Sequence, residues 1–166
     1  MGVKFKTVKD NFPKMEKVIT SLKGKKVKVG VGGEENAWLA GIHEYGVRIK
    51  VTDAMRNYLH KQGVHLRKET TEIVIPERSF LRSGHDANAE SVLKSNDKVL
   101  GAVLAGEYSE GAYLNGLGQQ MSGKIKRFAR SLNSPPNSSF TTEQKGSSNP
   151  LVDTGQMINA ITWEVE

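Results

Sequence analysis

The chain has no cysteine in its 166 residues. That excludes a disulfide framework, a thiolate zinc site and a thiol nucleophile. No apolar run approaches the roughly 20 residues that a membrane span needs, and the first residues lack the apolar core of a signal peptide. The expectation is a protein made and kept in a cytoplasm, without membrane contact. Arginine is missing from residues 1–28 and aromatics are sparse there. Base-specific readout of nucleic acid is therefore not expected of that stretch.

What is present fits one globular domain spanning 1–166. Hydrophobic residues make up 37% and charged residues 25%, enough to bury a core with some segments left in solvent. The net charge of +6 is unevenly spread. Residues 1–28 carry nine lysines against Asp10 and Glu16, and the remainder carries 15 basic and 16 acidic side chains. Lys4, Lys6, Lys9, Lys25 and Lys26 are candidate phosphate or partner contacts. The plainer reading is a solvated Lys-rich helix and strand edge.

Hydrophobic spacing predicts the elements. Phe12, Met15, Val18, Ile19 and Leu22 mark a helix opened by Asp10-Asn11-Phe12-Pro13 and stopped at Gly24. Val27, Val29 and Val31 alternate as a strand. Gly30-Val31-Gly32-Gly33 is a turn and not a dinucleotide fingerprint, because Glu35 occupies the third glycine position. Residues 37–46 predict a short helix. His43-Glu44 lacks the His-Glu-x-x-His spacing, since position 47 is valine, and His60, His65 and His85 have no ligand spacing. No metal or cofactor is expected.

Residues 47–76 predict a long β-hairpin arm with a small helix at its tip, opened by Thr52-Asp53. The tip holds Arg56, Lys61, Arg67 and Lys68, further candidate partner contacts. Two longer helices are predicted, one through Val92–Leu104 and one through Tyr113–Leu132. Residues 131–149, rich in Ser, Asn and Pro, read as a long flexible loop. A short helix at 156–159, capped by Asp153 or Thr154, leads into a closing strand at Ile161, Trp163 and Val165.

Leu151-Val152-Asp153-Thr154-Gly155 matches one copy of an aspartic-protease motif. That chemistry needs two carboxylates about 3 Å apart sharing a proton. No second Asp-Thr-Gly or Asp-Ser-Gly occurs, and 13 residues follow Asp153. The expected role is a turn and helix start, with no catalytic residue.

Three segments, in order, are similar to motifs of one family. They are Ile42-His43-Glu44-Tyr45-Gly46 with the preceding Ala40-Gly41, Ile75-Pro76-Glu77-Arg78-Ser79-Phe80-Leu81-Arg82, and Pro150-Leu151-Val152-Asp153-Thr154-Gly155 with Ile158 to Val165. This pattern resembles the tail-completion, or virion-morphogenesis, proteins of tailed bacteriophages and prophages, which sit at the head–tail junction. The resemblance implies an α+β fold, with a mixed or mainly antiparallel sheet packed on helices, and no enzyme. It also implies self-assembly into a ring, a hexamer in many members, among other neck and tail proteins in the virion and on the path of passing DNA. In that reading Pro76 ends the arm strand, Phe80 and Leu81 anchor the following helix, and Arg78 and Arg82 bind carbonyls or carboxylates. Asp153 and Thr154 shape the turn. The N-terminus, the arm and the 131–149 loop are the candidate projections between neighbours. A head-closure protein of the same neck and a nucleic-acid-binding module using the Lys-rich N-terminus are the alternatives.

Overall fold

The structure, a computed structural model, describes residues 10–166; Lys4, Lys6 and Lys9 lie outside them. Helix α1 spans Phe12–Leu22. The Asp10 carboxylate accepts the Phe12 N–H at 2.9 Å, Pro13 sits in the first turn, and Gly24 ends the helix at φ 88°. Strand β1 (Val27–Val31) pairs antiparallel with β4 (Ile161–Val165), Val27 opposite Val165 and Val31 opposite Ile161. Helix α2 (Glu34–Tyr45) leads to β2 (Val47–Lys50), which pairs antiparallel with β3 (Glu72–Ile75). Between these strands lies α3 (Asp53–Lys61), where the Thr52 hydroxyl accepts the Met55 N–H at 3.2 Å. The described strands form two separate two-stranded sheets. The fold is α+β and its pairing is antiparallel, but no single sheet runs through it. The hairpin strands are only four residues each.

The helical half departs further from the periodicity. Residues 81–131 form α4 (Leu81–Asp86), α5 (Ala89–Ser95), α6 (Asp97–Leu104) and α7 (Glu110–Ser131). The stretch predicted as one helix through 92–104 is divided at Asn96, so α7 alone is long. Asn96 is buried, and its amide donates to the Val92 carbonyl at 2.8 Å and to Gln120 at 2.9 Å. A short polar side chain that hydrogen-bonds the preceding turn offers the backbone an alternative to continued helix. Hydrophobic spacing does not register that competition.

Helix α7 packs across the β1–β4 sheet and organises two core clusters. One joins Ala40, Phe80, Ile125, Leu151, Ile158 and Ile161; the other joins Val103, Tyr113 and Leu114, with Val18 and Leu22 of α1 against them. Residues 131–149 are not loop throughout. They contain α8 (Ser139–Lys145), begun by the Ser138 hydroxyl accepting the Thr141 N–H and ended by Gly146 at φ 63°. The polar composition hid an N-cap serine and a C-terminal glycine at helical separation. Helix α9 (Gln156–Asn159) starts after Gly155 at φ 80°; the Thr154 hydroxyl, not Asp153, accepts the Gln156 N–H. No described helix is long and apolar enough to cross a membrane.

The glycines of α7 divide into two kinds. A Cβ at Gly118 would fall inside the Trp163 indole, so absence of a side chain is what lets α7 lie on β4. Gly116 and Gly123 face open space. Gly116→Ala and Gly123→Ala should each stabilise the fold by about 1 kcal/mol, the helix-propensity difference. Gly118→Ala should destabilise it by about 1–3 kcal/mol through overpacking. Urea unfolding of the three variants should show midpoints moving in opposite directions.

Candidate functional site

The three motif segments meet at one junction. The last turn of a helix leaves carbonyls without partners, and the first turn leaves N–H groups. At the end of α2, the His43 carbonyl accepts the Arg78 N–H at 2.7 Å, and the Glu44 carbonyl accepts from the Arg82 guanidinium at 3.0 Å. At the start of α4, the reverse occurs. Glu44 Oε2 accepts the N–H groups of Phe80 and Leu81, both at 2.8 Å. Its Oε1 accepts the Ser79 hydroxyl at 2.8 Å and the Arg82 N–H and Nε, both at 3.0 Å. The Glu44 side chain is only 2% exposed.

A carboxylate has about four lone-pair sites. Five donors occupy those of Glu44, so it has no free acceptor for a substrate proton. Burial pushes its pKa up. The N–H groups of Arg82 and Leu81, the Ser79 hydroxyl and the Arg82 guanidinium outweigh that and hold it below the usual carboxylate value. The Arg82 guanidinium also bonds Glu77 at 2.7 Å and lies 4.8 Å from the centre of the Tyr45 ring. Gly46 follows at φ 69° and ψ 168°. A Cβ there would stand 2.8 Å from the Glu77 nitrogen and 2.9 Å from the Ile75 oxygen. Only glycine lets the two motif segments lie this close.

Arg78 ties the third segment to the other two. It is 5% exposed. Its Nε donates to the Pro135 carbonyl at 2.7 Å, and a terminal nitrogen donates to the Pro136 carbonyl at 2.9 Å and to Asn137 at 3.3 Å. Asn137 reaches the Asn149 carbonyl at 3.4 Å. The Asn149 side chain accepts the N–H groups of Leu151 and Val152, an Asx turn that sets buried Pro150 and Leu151 beside Phe80 and Ile158. Lys145 adds a bond to the Pro150 carbonyl at 3.2 Å. Ile42 is half-buried, Ile75 and Pro76 close the hairpin, and Asp153 and Thr154 are exposed in the turn. The residues that sequence reasoning missed are the acceptors in 135–137 and the donor Lys145. Only the Asn149-Pro150 pair carried a local turn signal for them.

The basic candidates are not gathered here. Lys25 and Lys26 are exposed where β1 begins. Lys61, Arg67 and Lys68 are exposed at the hairpin tip, where the His60 and His65 Nδ1 atoms meet at 2.7 Å. Arg56 does not fit a phosphate-binding role. Its guanidinium donates to the carbonyls of Leu66, Arg67 and Thr70 and braces the returning loop. Among the described residues no group of three His, Asp or Glu could hold a metal. A cleft of about 600 Å³ lies between β1, α4, α5 and α7, and its walls are mainly apolar.

His43 gives the junction a pH dependence. Its Nδ1 is buried without a hydrogen-bond partner among the described residues. Burial, then the charges of Arg78 and Lys145, lower its pKa from 6.5 to about 4. The unfolded chain therefore binds a proton at a higher pH than the fold does. Stability is full above about pH 6.5 and falls as pH drops toward 4. Glu44, also lowered, adds a loss below its ordinary value of 4.5. His43→Gln should flatten the limb between pH 6.5 and 4 in urea titrations and leave the lower limb in place. Glu44→Ala, which orphans three N–H groups and Arg82, should cost about 3–5 kcal/mol at neutral pH.

Comparisons with protein families, with curated proteins and with solved structures find no match to this chain.

Proposed function

We propose that the chain is a structural neck protein of a tailed bacteriophage or prophage. In this reading it is a tail-completion or tail-terminator-like ring subunit that joins tail to head. The observation that carries the reading is the junction. Residues matching the family motifs, about 30 to 70 positions apart along the chain, touch one another, and Glu44, Gly46, Arg78, Phe80 and Leu151 each hold a packing or hydrogen-bonding role there. The roles are structural and leave no open reactive group, as an assembly subunit requires.

The hairpin is the second support. Neither core cluster takes a residue from 47–75. A segment that adds nothing to its own core, and whose tip is highly charged, serves as an arm to a neighbouring subunit. The subunit would assemble with itself, as a hexameric ring, and with other neck and tail proteins. It would be made in the host cytoplasm and end in the virion.

Sedimentation velocity and negative-stain microscopy of purified protein, alone and with tail tubes, test the proposal. The expected result is a ring that docks at one tube end. Asp153→Asn should leave this assembly unchanged, because Asp153 serves a surface turn. A protein that stays monomeric in both settings and is missing from purified virions would overturn the reading.

A further inference from the structure

Helix α7 ends in a run of cations. Lys124, Lys126, Arg127 and Arg130 fall within about 9 Å of helix axis. Ser122, Ile125 and Ala129 are buried and mark the inward side, and the four cations stand around the outward side. Glu110, in the first turn, is the one acidic residue of the helix. The helix dipole accounts for a cation in the last turn, where Arg130 lies, and its effect fades beyond that turn. Lys124, Lys126 and Arg127 need another reason.

This charge is not cancelled within the chain. None of the ion pairs among the described residues includes any of the four. Two of them are held by neutral acceptors instead. Nζ of Lys126 donates to the Asn159 carbonyl at 3.1 Å, and a terminal nitrogen of Arg130 donates to the Asn159 side-chain oxygen at 3.1 Å. One residue thus draws two cationic heads together, and each keeps further N–H donors. A protein partner is recognised through exposed aromatic or aliphatic anchors. The exposed large hydrophobic side chains among the described residues include none from α7. Exposed Gln119 and Ser131 add neutral polar groups instead. Cations and polar groups without an apolar anchor are the composition that meets nucleic-acid phosphates.

We infer that the outward face at the C-terminal end of α7 binds the phosphate backbone of nucleic acid without reading sequence. Lys126 and Arg130 grip one phosphate, and Lys124 and Arg127 meet neighbouring ones. The site is distinct from the Lys-rich N-terminus. It goes beyond the neck reading and stands without it.

Fluorescence anisotropy of a labelled DNA duplex, titrated with the purified chain from about 50 to 200 mM KCl, tests it. Four phosphate contacts give a slope of log K against log salt of about −3.6 or steeper. Two duplexes of unrelated sequence should bind alike. Lys124→Gln with Arg127→Gln should flatten the slope by about 2 and weaken binding about tenfold or more, with an unchanged thermal midpoint. Lys126→Gln with Arg130→Gln should do the same to binding; the first pair decides the matter should the second, which also loses its bonds to Asn159, fail to fold. Lys25→Gln with Lys26→Gln, an equal change of charge elsewhere, should have a much smaller effect. Absent duplex binding at about 50 mM KCl, or equal losses from the Lys25 and Lys26 pair, would overturn the inference. Binding of poly-glutamate in place of the duplex would overturn it in favour of an acidic protein partner. Ring assembly is read separately by sedimentation, so either reading can fail alone.

Discussion

The fold depends on one carboxylate spanning two helix ends. Glu44 closes α2 and opens α4, 37 residues later in the chain. Both ends carry unpaired backbone groups and would be expensive to bury alone. Placed against each other they satisfy one another, and the negative side chain lies at the N-terminal end of α4, where the helix dipole favours it. Phe80 can be fully buried because its N–H is satisfied by Glu44. Phe80 in turn is the large side chain around which Ile125 of α7 and Ile158 of α9 pack. Loss of the carboxylate would leave buried donors next to the core, a far larger penalty than the loss of an ordinary surface ion pair.

Much of the fold was legible because its elements announce themselves locally. The alternation at 27–31 and 161–165, the Asp10-Asn11-Phe12-Pro13 signal and the cap at Thr52 correspond to strands and helix starts. The spacing through 113–132 corresponds to α7. The errors have a common form. Asn96 breaks a helix, Ser138 begins one, and Arg56 holds three carbonyls, and each acts through hydrogen bonds that polarity patterns do not rank. The pairing of β1 with β4 across about 130 residues, and the separation of the sheets, depend on long-range packing that no window of sequence contains. At the candidate site, Glu44, Gly46 and Phe80 could be singled out as residues. Their mutual contacts could not, and neither could the carbonyls of 135–137.

Arg78 holds the 131–149 segment against the junction. A buried guanidinium needs its donors satisfied. Here the acceptors are neutral carbonyls and an amide, not a carboxylate, and burial lowers the pKa of the guanidinium. Lys145 is set in the same region, also lowered by burial, with Asp153 opposing and Arg78 adding to the effect. Positive charge therefore lies beside His43, which stays neutral first because it is buried and second because of that charge.

The same logic separates the inside of the molecule from its outside. Inside, Glu44 and Arg78 find their partners within the chain while His43 Nδ1 does not, and substitution is costly at glycines where backbone meets backbone or indole. Outside, Trp38, Tyr45, Phe12 and Ile19 remain in solvent. Exposed aromatics on a monomer bring no folding stability, and they raise the risk of non-specific association.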